Sequence, residues 1–585
     1  MTKLALYLIL CISWFCQGIA LSPSMKYDFN SSLIPNDVYN MFWTINDKSI
    51  IIEVHVKTLG YVGFGVSRHG GMKGADIVIG WVKDGQAFFQ DRYSTIEAEP
   101  KIDESQDWKL LQGREEGSYT ILKFTRTLTN CDKEDIDITD ETMRIIFAYH
   151  PDDPQGTTGL PYHGTNRGTK SLILIAHLKP EAYRLPSDAV PLDFNVENIV
   201  VPANRTTYYC KAMKIPPLAK KHHVIMIEPI IQNAQSNMVH HMILYTCREN
   251  FDVDANDGRQ GVCDDIKEMR GICYSFLFLW AKGTNQTYLP TETGIPIGGE
   301  SGMKILRLEI HYNNPQKLSG VVDSSGIRLW VTPTLRTYDA GMLTTGTNVT
   351  TEVIPPKYDR LVLTAHCPGS CLTAGMKETP EGISIFAVAL HAHLLGVKLR
   401  LRHFRNGKEL APVAEDPYYD FNFQYFKTLK DPVVIKPGDD LLTECIYNTQ
   451  GRENVTWGGH STHNEMCLIF ILYYPKMSKL KTCMSYIMPA DFLKYTGAEV
   501  ISNSLRDADD ILINGKRYTG KGWRQVVEST NWTSAKKREQ FQKAINVTVA
   551  RKVSICDAFP WVVSFVGPFE IKEPYVEADK CIGSD

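Results

Sequence analysis

Three histidine groups and one methionine have the type and spacing to do chemistry. Among 16 histidines, His240-His241 lies in Val-His-His-Met-Ile-Leu-Tyr, His311 in Leu-Glu-Ile-His-Tyr, and His391-Ala-His393 in Ala-Leu-His-Ala-His-Leu. Each run is strongly apolar and strand-like. A buried imidazole must satisfy both nitrogens, and coordinating a metal satisfies one of them. His391 and His393, two apart on a strand, project from the same face and can grip one ion. Adjacent His240 and His241 would point to opposite faces of a regular strand, so they share a metal only at a bulge or strand end. His222-His223 is an equally adjacent pair and reads as structural. Met466 stands in Glu-Met-Cys, just before the apolar run Leu468 to Tyr474. A methionine in a β core usually packs rather than ligates. Thioether sulfur nevertheless favours Cu(I), and two histidines with a methionine mark copper in a redox role rather than zinc.

Short strand-like runs carry these residues. Alternating segments at Ser49 to Val56, Ile77 to Trp81, Tyr119 to Phe124 and Met143 to Tyr149, parted by turn residues, read as strands of a β-sandwich. Residues 179–198, polar and Pro-containing at their start, read as a linker. Strand-like runs then return at Val224 to Pro229, Met238 to Tyr245, Lys304 to Tyr312, Ile327 to Val331, Asp359 to Thr364, Ile383 to Leu390 and Cys467 to Tyr474. Ser534 to Ile545 is the clearest amphipathic helix and lies outside every histidine group. The fold class is mostly β.

The start of the chain, with Lys3, an apolar core from Leu4 to Cys16 and small Gly18 and Ala20, reads as a signal peptide over residues 1–20. The apolar run is too short for a membrane span, so no span is expected after its removal. Sequons at Asn30, Asn204, Asn285, Asn348, Asn454, Asn531 and Asn546 fit a secretory lumen or the extracellular space as glycosylation sites. Of 14 cysteines, Cys11 and Cys16 leave with the signal, and 14 − 2 = 12 is an even number in an oxidising compartment. Six disulfides and no free thiol are expected. A net charge of −3 gives no electrostatic case for nucleic acid.

The motifs His240-His241-Met242, Leu308-Glu309-Ile310-His311-Tyr312, His391-Ala392-His393-Leu394 and Glu465-Met466-Cys467 with Tyr473-Tyr474-Pro475, in this order, resemble the copper type II, ascorbate-dependent monooxygenases, in the dopamine β-hydroxylase-like branch. The resemblance covers nearly the whole mature chain. It implies a DOMON-like β-sandwich over 25–178, for which Gly63-Phe64-Gly65 and Gly74-Ala75-Asp76-Ile77 are the local match. Two jelly-roll-like β-sandwich copper domains follow, over 199–355 and 356–500, with a C-terminal extension over 501–585 packed on the core. It further implies two coppers per chain: an electron-supplying site of His240, His241 and His311, and an oxygen-activating site of His391, His393 and Met466. Catalysis would rest on the second set, with O2 and a small, aromatic amine-like organic molecule as substrates and ascorbate as electron donor.

The same resemblance implies the disulfides Cys131 with Cys581, Cys210 with Cys263, Cys247 with Cys273, Cys367 with Cys483, Cys371 with Cys556, and Cys445 with Cys467. Three departures bear on function. Ala389 stands where the peptide-amidating branch carries a carboxylate-binding arginine, and Glu309 where that branch has glutamine, which disfavours peptide amidation. Phe470 stands where both branches usually place a tyrosine, so the pocket loses a hydroxyl. No cysteine lies between Cys483 and Cys556, so no covalent dimer is expected. Three other readings compete: a copper-binding protein without turnover, motivated by Phe470; a zinc hydrolase built on His240, His241 and His311; and a purely structural β-sandwich. The zinc reading lacks a placed general base and leaves Met466 without a purpose.

Overall fold

Alternation of apolar and polar residues turns most of the chain into strands, and they stack as pairs of sheets in a computed structural model. The structure describes residues 21–176, 184–232, 238–247, 252–266, 269, 272–282, 286–299 and 303–487, then 493, 498–500, 511–513, 516–518, 523–546, 552–557, 564–566, 569–577 and 581. The expected signal peptide and the sequon at Asn285 lie outside the described residues. The chain divides into two compact units, Met1–Ile175 with Asp579–Asp585, and Ala176–Ala578.

In the first unit, strands Tyr39–Ile45, Ser49–Val56 and Tyr119–Thr127 lie side by side in a five-stranded sheet, and Met143–Tyr149, Val62–Ser67 and Ala75–Lys83 in a six-stranded one. Their inward positions, Ile50, Ile52, Val54, Phe64, Val66 and Phe124 among them, form one core. Cys581 is bonded to Cys131, so the end of the chain belongs with this unit and not wholly with the second.

Three buried carboxylates, Asp76, Asp91 and Asp135, crowd within 4.8 Å in this unit. Arg126 pairs with Asp76 and Asp135 and not with Asp91. Burial first, then the charges of Asp76 and Asp135, push Asp91 up to about 8, although the backbone N–H groups of Asp107 and Trp108 donate to it. A carboxyl whose folded pKa is raised gives stability that is complete below the unfolded range and is lost as pH rises through the folded value. Melting of this unit, followed by calorimetry, is therefore expected to fall as pH rises from the ordinary carboxylate range to about 8 and to level off above it. Asp91→Asn is expected to flatten that dependence and to stabilise the unit above that pH by about 1–3 kcal/mol, the usual cost of an unsatisfied buried polar group.

The second unit carries two sheet pairs in succession. The first half pairs the sheet of Val190–Asn195, Gly326–Thr332, His222–Ile230 and Thr293–Ile297 with the sheet of Thr206–Lys214, Ile305–Asn313, Val239–Cys247 and Cys273–Ala281. Residues 190–195 of the stretch read as a linker are thus an edge strand, hydrogen-bonded to Gly326–Thr332, because Leu192 and Phe194 bury against the core. In the second half, Lys427–Ile435, Ile383–Ala392, Cys467–Tyr474 and Gly341–Thr347 run side by side, and a smaller sheet of Leu361–Cys367, Asp440–Tyr447 and Gly396–Arg405 packs behind them. Gly341–Thr347 pairs with Cys467–Tyr474, so the second half begins before residue 356.

The strand Cys467–Tyr474 is apolar on both faces because it serves two cores. Ile469, Ile471 and Tyr473 point into the second half's own core. Leu468, Phe470 and Leu472 join the core of the first half. The period-2 alternation of a strand thereby glues the two halves through one element.

Among the described residues, six disulfides close: Cys131–Cys581, Cys210–Cys263, Cys247–Cys273, Cys367–Cys483, Cys371–Cys556 and Cys445–Cys467. The sequon residues Asn30, Asn204, Asn454 and Asn531 are exposed, and Asn546 is half-buried. Asn348 is half-buried with its amide donating to the Tyr486 hydroxyl. Helix Ala535–Ile545 starts where Ser534 caps it and buries Phe541 and Ile545. No helix among the described residues is long and apolar enough to cross a membrane.

Candidate metal centres

The first histidine group is assembled by an irregularity in a strand. Val239–Cys247 pairs with Ile305–Asn313 through Val239↔Tyr312 and then His241↔His311, so His240 is an extra, unpaired residue at a bulge. The bulge turns His240 toward the side on which His241 faces its cross-strand partner His311. Their Nδ1 atoms converge, at 3.2 Å from His240 to His241 and 3.3 Å from His311 to His241. Imidazole nitrogens held at about 2.0–2.1 Å around one tetrahedral ion would stand about 3.3 Å apart.

Burial, then the charge of Lys282, presses His240 down to about 4. Burial, then His240, presses His311 down to about 3, and His241 is held well below its ordinary range by burial and by His311. All three are neutral, with one N–H each. The Nε2 atom of His311 is buried without a hydrogen-bond partner among the described residues. Three converging neutral imidazoles cannot satisfy one another pairwise, whereas a cation accepts all three lone pairs. The residues fit a metal ion.

The second group is held by partners that fix its tautomers. His391 and His393 lie two apart at the end of Ile383–Ala392, with ring centroids 5.3 Å apart. His391 Nδ1 meets Gln424 Oε1 at 2.6 Å, and Gln424 Nε2 in turn donates to Phe421 O, which fixes the amide with its oxygen toward the ring. His393 Nδ1 meets the Asn464 carbonyl at 3.0 Å. Both Nδ1 atoms therefore carry the proton, and both Nε2 lone pairs are left to bind. Burial presses His391 to about 4 and, with His391, presses His393 to about 3, so both are neutral.

Met466 is buried at the head of the neighbouring strand, where Ala392 pairs with Cys467. One carboxylate locks this corner: Glu465 accepts from the backbone N–H of His393, Leu395 and Met466. The Tyr419 hydroxyl accepts from Ala392 N and donates to Ala392 O, clamping the residue between the two histidines. The Tyr447 hydroxyl donates to Met466 O, and Cys445–Cys467 staples the adjacent residue. By contrast, both ring nitrogens of His223 are occupied, by Asp339 and by Arg336 N, in keeping with a structural role.

One cavity of about 780 Å3 is lined by His241 of the first group and by His391, His393 and Met466 of the second. Phe421 bridges them, stacked on His240 at 4.5 Å and edge-on to His393 at 5.9 Å. Tyr208 stacks on His311 at 4.6 Å and donates to the His460 carbonyl across the halves. Gln424, Tyr419, Phe421 and Tyr208 carry no signal in the sequence, because each is an ordinary polar or aromatic residue far from the ligand it positions. Phe470 also borders the cavity and meets Phe276 edge-to-face at 4.7 Å.

Family models for the copper type II ascorbate-dependent monooxygenases match residues 192–319, as the N-terminal domain, and 338–496, as the C-terminal domain. A DOMON domain matches residues 35–150. The chain is 37% identical to DBH-like monooxygenase protein 1 of Mus musculus over 95% of this chain and 90% of the mouse protein. It is 34% identical to dopamine beta-hydroxylase of Canis lupus familiaris over 84% of this chain and 79% of that protein.

Proposed function

The chain belongs to the copper type II, ascorbate-dependent monooxygenase family, and on that premise we propose that it hydroxylates a small organic substrate with O2, binding copper at two sites: His240, His241 and His311, and His391, His393 and Met466. The observation that carries this reading is that neutral His241 of the first set and neutral His391 and His393 of the second, with the Met466 thioether, line a single cavity. In the overall reaction one oxygen atom enters a substrate C–H bond and the other leaves as water, with two electrons from ascorbate and two protons. Copper bound there supplies one-electron transfer at the first set and oxygen chemistry at the second, since all-imidazole and imidazole–thioether environments set different potentials.

The protein's residues supply placement. Gln424 and the Asn464 carbonyl hold the His391 and His393 rings with Nε2 outward, and Glu465 ties the histidine strand to Met466. Leu468, Phe470 and Leu472 make a dry wall beside the second set. Phe276 and Phe470 suit an aromatic or alkyl body on the substrate. The six disulfides suit the oxidising lumen of the secretory pathway or the extracellular space.

The test is mass spectrometry of candidate substrates incubated with copper-loaded protein, ascorbate and labelled O2. One labelled oxygen in the product is expected, and ascorbate-dependent product lacking the label would contradict the proposal. Gln424→Leu is expected to leave the fold in place and weaken copper at the second set about 10–100-fold, as loss of a hydrogen bond behind a metal-binding histidine does. Competition with a copper chelator measures this.

A further inference from the structure

The charges along the cavity are distributed unevenly. Glu309 is the one carboxylate among its described lining residues, and it is already engaged, accepting from Arg307 at 3.3 Å and from the Tyr245 hydroxyl at 3.4 Å. Two lysines, Lys476 and Lys481, also line it. Lys476 is half-buried, and no carboxylate lies within ion-pair distance of it among the described residues. Its nearest acid, Asp339, is taken by Lys221 and His223. Lys481 is exposed, with Asp557 as the acid that faces it.

The strand register places these lysines away from the metal-binding corner. Met466 immediately precedes the strand Cys467–Tyr474, while Lys476 follows its far end and bonds through its N–H to Asp339 O. Phe470 pairs with Thr344, Thr344 pairs in turn with Thr482, and Lys481 O accepts from Thr344 N. At about 3.3 Å per strand residue, Phe470 lies about 13 Å along the strand from Met466. Between the two ends the wall is Leu468, Phe470, Leu472, Phe276 and Ile295.

We propose that the cavity takes an elongated apolar organic acid, its carboxylate held by Lys476 and Lys481 and its hydrocarbon body reaching along the wall toward His391, His393 and Met466. The inference rests on the oxygenase reading for what happens to that body, but not for the binding itself. A protonated amine would leave water for a cavity whose carboxylate is already neutralised and would face two like charges. A carboxylate meets two cations, one of which lacks an acid of its own. Burial and the neighbouring Lys481 press the Lys476 pKa down, and a bound anion relieves both pressures. This mode also differs from the arginine on the histidine strand in the peptide-amidating branch, whose position here is Ala389, buried and apolar.

The experiment compares phenylhexanoate and phenylhexylamine, equal in apolar body and opposite in charge, by titration calorimetry on the copper-free protein. The acid is expected to bind about tenfold or more tighter than the amine, and Lys476→Gln with Lys481→Gln to bring the two within about twofold. Lys476→Arg, which keeps the charge, is expected to retain the preference, and unchanged melting temperatures establish that the variants fold. Tighter binding of the amine, binding of neither compound, or a preference that survives the double substitution would overturn the inference. Ascorbate-driven oxygen uptake on the copper-loaded protein reads the oxygenase proposal separately. Lysine-dependent binding of the acid without uptake would sink that proposal and leave the binding inference standing.

Discussion

Met466→Ile is expected to abolish hydroxylation while the protein still folds and is still made. Isoleucine keeps an apolar side chain of similar volume, and such exchanges in a core usually cost less than about 1.5 kcal/mol. Met466 is buried against the first half's core, so packing alone predicts a near-normal melting temperature under either reading of its role. The readings separate at the metal. If the thioether is a donor, Cu(I) affinity at the His391–His393 set falls and turnover is lost, because the soft ligand has gone. Metal content alone would be a poor readout: His460 lines the same cavity, and exposed His463 stands three residues before Met466. Ascorbate-dependent oxygen uptake and a Cu(I) competition titration are the measurements. Full activity with parental affinity would make Met466 a packing residue.

His311→Ala is the second large effect. It removes one of three converging Nδ1 atoms and leaves His391, His393 and their partners untouched, since the two sets share no residue. Copper bound at saturation is expected to fall by about half, and turnover to cease for want of electron supply. The variant also opens space beside Tyr208, which stacks on the His311 ring, so a modest loss of stability accompanies it. Atomic absorption on the purified variant counts the loss. Both coppers lost together, or neither, would contradict the partition into two sets.

How far these sites were legible depended on whether the determinant was local. Strand positions were: alternation and β-branched runs marked Ile305–Asn313 and Cys467–Tyr474 to within a residue. The same-face geometry of His391 and His393 followed from strand period alone. The convergence of His240 with His241 did not, because the bulge that permits it depends on register against Ile305–Asn313, a property of two strands and not of one. Edge strand Val190–Asn195 was hidden in a polar stretch, since only Leu192 and Phe194 of its residues bury apolar surface. Gln424, Tyr419 and Phe421 reach the site from a loop whose sequence carries no period. The role of Glu465 emerges only when its carboxylate is seen bridging three backbone N–H groups contributed by two separate segments.

X-ray absorption at the copper edge of the fully loaded, ascorbate-reduced protein reads directly whether Met466 sulfur binds copper beside His391 and His393. All twelve described cysteines are disulfide-bonded, so among the described residues a copper–sulfur shell has to come from a methionine. Nitrogen scattering averaged over two coppers is expected, with one sulfur per two coppers, and loss of that sulfur shell in Met466→Ile while the nitrogen shell remains. A reduced parent protein with no sulfur shell, or a shell unchanged in the variant, would contradict Met466 as a copper ligand.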